Sequence, residues 1–343
     1  MTLSYLTKRI GVFLLVVWLA ASFNFFLPHL GTVNPIRQKM TRTAAFGNTN
    51  MTAKGSGTDR SYFEESVAVW EEKFGLDQPL WKQYIRYLGD TARFDLGFSI
   101  VNFPAKVMTM TMQAMPWTLV VVGIATIFAF ALGTMLGALM VWRSDSALLR
   151  FIAPPILALS AIPYYLLGLG LIFLLAFTLG WFPISGGYDY GTIPDVSLKF
   201  FAQAARHAVL PALSIVLAQM GFWGLHMRGM MVTVQGEDYM YQAEAKGLKP
   251  ARLFLKYAVR NSILPQATNL ALTMGLIITQ GVLVEVVFSY PGVGTLLFSA
   301  IRNLDYFVIY GIVFFIILSV ALATLIIDIL YPILDPRITY QQA

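Results

Sequence analysis

Six stretches of this chain are each long and apolar enough to cross a lipid bilayer, and nothing else limits its possible folds so sharply. They fall at roughly 10–30, 116–142, 151–177, 208–228, 266–288 and 307–331. A spanning helix needs about 20 mainly apolar residues, because hydrocarbon offers no partner to an exposed backbone amide. Of the 343 residues 57% are hydrophobic and only 12% charged, against about 25% charged in soluble domains. The expected fold class is an all-α polytopic membrane protein with six transmembrane helices. A small helical extracytoplasmic subdomain is expected between the first and second.

Charge sets the orientation. Lys8 and Arg9 precede the first stretch and put the N-terminus in the cytoplasm, and six crossings return the C-terminus there. The inner segments then hold Lys8, Arg9, Arg143, Arg150, Arg228, Lys246, Lys249, Arg252, Lys256, Arg260 and Arg337, whereas the two short outer loops hold only Lys199, Arg206 and Arg302. The opening run looks superficially like a signal peptide. No clean small-x-small cleavage site follows before Pro28, and the aromatic-rich run outlasts a typical signal core, so a retained helix is expected. The expected organisation is an N-terminal transmembrane helix (1–30), an extracytoplasmic subdomain (31–115), a membrane core (116–337) with a polar inner loop at 229–265, and a cytoplasmic tail (338–343).

Several function classes are set aside early. Without cysteine there is no disulfide, zinc–thiolate site or thiol chemistry. The three histidines, His29, His207 and His226, lie far apart in sequence, and no metal or haem site is expected. No G-x-x-x-x-G-K-[ST] run is present to cradle a nucleotide's phosphates. No catalytic residue is assigned, and ATP-driven work must come from another chain. The net charge of +6 is read as an orientation signal for membrane lipid, with no nucleic acid implied.

In the segment 31–115, the opening part from Gly31 to Arg60 is polar, and a mobile insert is expected there. Ser61-Tyr62-Phe63-Glu64 has capping-box spacing, and Phe63, Val67, Trp70 and Phe74 recur as one apolar helical stripe. A second helix is predicted from about Gln78 to Leu88, with Leu80, Trp81, Tyr84, Ile85 and Leu88 inward and Gly89 closing it.

Within the spans, Gly133-x-x-x-Gly137 allows close helix approach, either inside one chain or at a seam between subunits. Pro154, Pro155 and Pro163 predict kinks in the third span. Gln219 in the fourth, and Asn269, Thr273, Thr279 and Gln280 in the fifth, either cement helices or line a water-filled path. Gln219, Asn269, Thr273 and Gln280 are the candidates for a translocation path. Glu285 and Asp328 lie near span ends. Glu285 is expected to fix the outer turn of the fifth span, and Asp335 before Pro336 to stop the last helix.

The loop 229–265 is a long polar interruption. Glu237 and Asp238 open a short helix that Gly247 stops, and Pro250 starts a second, which Leu264-Pro265 is expected to end. Leu253, Tyr257 and Asn261 share one face of that second helix, and Arg252, Lys256 and Arg260 form a basic stripe. The run Glu237-Asp238-Tyr239 … Ala243-Glu244-Ala245-Lys246-Gly247-Leu248 … Arg260-Asn261-Ser262-Ile263-Leu264-Pro265 resembles the cytoplasmic "EAA loop" of permease subunits from binding-protein-dependent ABC importers. The likeness is to the first-permease (B-type) branch of the dipeptide/oligopeptide/nickel family. Counting back from Gly247, the motif's glutamate falls on Tyr241 rather than Glu244, and the gap from Gly247 to Leu264-Pro265 is longer than in sugar-type permeases. Both departures are usual for the peptide branch. The stretches GLDQPLWKQYIRYLGD … FDLGFSI, Gly180-Trp181-Phe182-Pro183-Ile184-Ser185-Gly186, the run after Glu285 to Gly294 and the run from Tyr331 to Ile338 look like the same family.

The resemblance implies a permease that moves peptide-type or oligosaccharide solutes inward by alternating access in a bacterial or archaeal cell membrane. It implies a homologous second permease subunit, with a heterodimer expected, two ATPase subunits holding ATP and Mg, and an extracytoplasmic solute-binding protein. The first short helix would be the coupling helix, with Glu237, Asp238, Tyr239, Met240, Ala243, Glu244, Lys246 and Gly247 as its ATPase-coupling residues. Tyr239 and Met240 are the expected apolar contacts. With no cysteine or histidine cluster, nickel is disfavoured as cargo. The alternatives are an ion-gradient-driven secondary transporter or channel subunit, and a non-transporting membrane scaffold.

Overall fold

The apolar runs fold as helices because a helix satisfies its own backbone. The computed structural model describes residues 3–31, 34–46 and 57–334. In chain order these form α1 (Leu3–His29), α2 (Pro35–Phe46), α3 (Gly57–Phe74), α4 (Leu80–Ala92), α5 (Val107–Trp142), α6 (Ala147–Leu159) and α7 (Tyr164–Leu171). A π turn (Ile172–Thr178) follows, then α8 (Leu198–Gln235), α9 (Asp238–Ala245) and α10 (Pro250–Arg252). After a second π turn (Leu253–Val259) come α11 (Arg260–Gly275), α12 (Ile277–Phe288), α13 (Val293–Asn303) and α14 (Tyr306–Leu334). Among the described residues, four helices are by themselves long and apolar enough to cross a membrane: α1, α5, α8 and α14. Two further stretches are broken pairs, α6 with α7 bent by 105°, and Pro250–Gly275 with α12 bent by 60°. Asp335, Arg337 and the tail 338–343 lie outside the described residues.

The chain divides into two units, one of Met1–Ala114 with Leu296–Leu325 and the other of Met115–Thr295 with Ile326–Ala343. In the first unit, Ile36, Phe63, Val67 and Ile100 form a core with Trp70 and Phe74 against it, so the predicted stripe on α3 is the buried one. The opening insert differs from expectation. Residues 32–33 and 47–56 lie outside the described residues, but Pro35–Phe46 is a helix. Asn34 caps it by accepting from the Ile36 and Arg37 amides at 3.0 and 3.1 Å, and Ile36 and Met40, one turn apart, join the core. Glu64 serves no capping box. α3 starts before Ser61, and Glu64 takes both nitrogens of Arg37 at 2.8 and 2.6 Å. On α4 the inward residues are Tyr84 and Tyr87, gathered around Phe25 of α1, while Leu80, Trp81 and Ile85 are exposed. The aromatic contact rotates the helix away from the expected face, and α4 runs past Gly89 to Ala92.

Asp305 does most to hold the loop before α5. Its carboxylate is 2% exposed and accepts from the Ser99 hydroxyl at 2.5 Å and from the Ile100 and Val101 amides at 3.1 Å each. A buried carboxylate with three donors is well satisfied, and removing it strands all three.

In the second unit, α5 and α8 touch backbone to backbone. A Cβ on Gly133 would meet the Met220 carbonyl, and one on Gly137 the Gly224 carbonyl, so the small-x-x-x-small pair packs within the chain. α8 is longer than the predicted fourth span. Ser197 caps it by accepting from the Phe200 amide at 3.1 Å, and it runs to Gln235. On its first turns His207 bonds the Gly186 carbonyl through Nδ1 and Asp189 through Nε2, each at 3.0 Å, so the connecting loop is tied down. The His207 and Gln203 hydrogen bonds hold the Asp189 carboxyl below its ordinary value. At the end of α12, buried Glu285 accepts from the Gly294 amide at 2.6 Å, and Thr118 accepts from Val293 at 2.9 Å. Glu285 therefore fixes the turn, as its position implied.

Two outcomes follow from this packing. Gly137→Val forces α5 and α8 apart, costing about 3 kcal/mol. The thermal midpoint of the detergent-purified protein should fall, whereas Gly170→Ala, with open space at its Cβ, leaves it unchanged. Asp305→Ala strands three donors and should lower stability by about 3 kcal/mol. Limited proteolysis should then cut the loop around Ser99 before the rest of the chain, with Asp305→Asn giving a smaller effect.

Candidate functional site

Broken helices leave backbone groups that hydrocarbon cannot satisfy, so breaks belong beside polar cavities. Both bends in the second unit meet one cavity of about 440 Å3. Ser160 and Pro163 border it from the α6–α7 break, Gln219 and Trp223 from the middle of α8, and Thr273 and Gln280 from either side of the α11–α12 break. Gln219 Nε2 donates to Gln280 Oε1 at 3.3 Å. Among the described residues, no charged side chain borders the space.

Three of the four candidate path residues thus come together: Gln219, Thr273 and Gln280. Asn269 does not border the cavity; it is half-buried one turn below, where its carbonyl accepts from the Thr273 hydroxyl at 2.8 Å. Of the three prolines expected to kink the third span, Pro163 lies at the break, at the N-cap of α7, whereas Pro154 and Pro155 lie inside α6. The other break, at Leu276, has no proline to announce it. Tyr164 and Phe222, which also border the cavity, went unnoticed because aromatic residues in an apolar run carry no distinguishing signal.

The polar loop 229–265 is a helical hairpin around α9. Asp238 in the first turn suits the positive end of the helix dipole. Gly247 has φ +71° and its amide donates to the Glu244 carbonyl at 2.8 Å, so the left-handed stop predicted there is present. Met240 and Ala243 face inward, into a cluster with Met227, Met231 and Val234 of α8 and Phe254 and Ala258 beyond Pro250. Neither is open to a partner, and the expectation that Met240 contacts one is corrected. The hairpin has to close its own apolar core, and Met240 lies on the closing side. Tyr239 also packs against this cluster, whereas Tyr241 is 62% exposed. Glu237, Asp238, Glu244 and Lys246 are exposed beside it.

Pro250 opens the second arm as predicted, but Leu264-Pro265 does not end it. The helix continues through Pro265 to Gly275. A proline there removes only the bond to Asn261, and the widened π turn just before it already loosens the ladder. That turn also shifts the phase. The buried line is Leu253, Phe254, Ala258 and Ser262, while Tyr257 is half-covered and Asn261 is exposed. Arg252, Lys256 and Arg260 are exposed as a basic stripe. Both arms of the hairpin therefore run from α9 to the cavity, α8 reaching it at Gln219 and the second arm at Thr273.

Residues 129–340 match the family described as "Binding-protein-dependent transport system inner membrane component". The chain is 34% identical over 290 residues to the oligopeptide transport system permease protein AppB of Bacillus subtilis, covering 84% of this chain and 88% of that protein. It is 32% identical over 283 residues to the di/tripeptide transport system permease protein DppB of Pseudomonas aeruginosa, covering 79% and 84%. It is 29% identical over 341 residues to the dipeptide transport system permease protein DppB of Escherichia coli, covering 93% and 99%. These likenesses decide for an importer permease over the ion-gradient-driven alternative. A helical membrane protein with broken helices around a neutral cavity and a hairpin joined to it, this chain belongs to the inner-membrane permease family of binding-protein-dependent ABC importers, in its dipeptide/oligopeptide branch.

Proposed function

We propose that this permease accepts peptides from an extracytoplasmic binding protein and releases them into the cytoplasm by alternating access. ATP and Mg are held by two separate ATPase subunits, and a homologous second permease completes the membrane pathway as a heterodimer. Support for peptides comes from the peptide-transport relatives and from the uncharged cavity, which favours neither end of a zwitterionic substrate. Taking each bent pair as one span makes six crossings. The excess of Lys and Arg on one set of loops supports cytoplasmic termini, with the hairpin around α9 on the same side.

The observation that carries the reading is the mechanical continuity of α9 with the cavity. α9 is clamped by Met240 and Ala243 to the end of α8, and α8 then runs unbroken from Gln235 to Gln219. Sixteen helical residues span about 24 Å at ~1.5 Å each. Force applied to α9 by an ATPase subunit is delivered to the cavity wall, because a packed helix shifts as a body while a loop would absorb the displacement. Tyr241 takes the apolar docking role first given to Met240, with Glu237, Asp238, Glu244 and Lys246 as polar contacts.

Two measurements test this. Tyr241→Ala should leave the stability within about 0.5 kcal/mol of wild type yet reduce co-purification of the ATPase subunits. Met240→Ala should instead destabilise the chain by ~2–4 kcal/mol. Equal retention of ATPase by wild type and Tyr241→Ala counts against the docking face. Gly247→Val places a branched residue at φ +71°. Peptide uptake should fall roughly tenfold while ATP hydrolysis persists; normal coupled uptake would reject the lever.

A further inference from the structure

We propose that Gln219 and Gln280 form an exchangeable amide latch, closed on each other in the empty cavity and opened by the backbone amides of a passing peptide. This rests on the peptide-importer reading and assigns the groups that meet the cargo. The latch joins the middle of α8 to the first turn of α12, beyond the bend at Leu276. Its 3.3 Å bond is at the long end of the hydrogen-bond range. Gln219 Oε1 is buried with no partner, an acceptor left over by the arrangement.

The chemistry fits one class of ligand. Each side-chain amide offers two donors and an acceptor with two lone pairs, while a peptide group offers one donor and one acceptor, held in fixed opposition. When the latch opens, a peptide N–H satisfies the Gln219 oxygen and a peptide carbonyl accepts from an amide nitrogen. An amide–amide bond is thus replaced by amide–amide bonds of the same kind, so the exchange is nearly neutral in free energy. A conducting site needs that neutrality, since tight binding would hold the cargo. A charged group in the same place would retain one terminus of the peptide, and none borders the cavity. Selection is then for backbone, not side chain.

The test uses the whole transporter, this chain with its partner permease, ATPase subunits and binding protein, reconstituted in vesicles. Uptake is measured for radiolabelled trialanine and for its ester isostere, in which the N–H of the second of its two amides is replaced by oxygen. The binding protein's own preference is common to wild type and variants and cancels in the ratio of ratios. In Gln219→Leu, the peptide-over-ester preference should fall about fivefold, the value of one hydrogen bond, whereas Gln280→Leu, which leaves the Gln219 acceptor in place, should keep it. Gln219→Asn should lie between wild type and Gln219→Leu. ATP hydrolysis stimulated by loaded binding protein, measured in the same vesicles, should persist, so an inactive assembly is recognised. A preference unchanged in Gln219→Leu, or lost equally in Gln280→Leu, with uptake still measurable, would overturn the latch and leave the importer intact. Failure of wild-type vesicles to take up trialanine while importing another solute would overturn the peptide reading and the latch with it.

Discussion

Hydrocarbon does not hydrogen-bond, and the second unit is arranged around that constraint. Its two broken helix pairs open where a cavity lies alongside, and the bends of 105° and 60° converge on it. Elsewhere the helices are continuous and approach closely through glycine, as Gly133 and Gly137 do against α8. A break away from the cavity would strand carbonyls at several kcal/mol each. The cavity and the irregular backbone are therefore the same feature.

The inner hairpin obeys a different rule. There the problem is stiffness, and it is met by burial. Met240 and Ala243 look inward to a methionine-rich cluster with Phe254 and Ala258, and what α9 presents outward is short, acidic and capped by a left-handed glycine. Methionine suits such a joint because its unbranched side chain fills irregular gaps. The two arms then carry any displacement upward, one as the unbroken α8, the other through a π turn and past Pro265. The polar interruption in the sequence is thus continuous with the apolar helices beside it.

In the first unit the helices between Asn34 and Ala92 close a core of their own, and buried Asp305 gathers the loop at Ser99–Val101. Here the sequence was legible in part. The 4-3-4 spacing of Phe63, Val67, Trp70 and Phe74 identified a buried stripe because those residues contact one another within one helix. The face of α4 was misplaced because Tyr84 and Tyr87 answer to Phe25, some sixty residues away, which no local pattern encodes. Asp305 lies some two hundred residues from the loop it holds, so no local pattern points to it either.

Hydropathy and turn residues by themselves determined the class of protein and the stop at Gly247, since each depends on a residue and its near neighbours or on transfer into lipid. The family likeness of the hairpin was legible for the same local reason. Only the tertiary structure decided which side of α9 is open, that the break in the fifth span falls at Leu276, and that Gln219, Thr273 and Gln280 border one space while Asn269 does not. Those outcomes depend on which helices meet and at what rotation, and one residue's shift of a helix turns a side chain by about 100°.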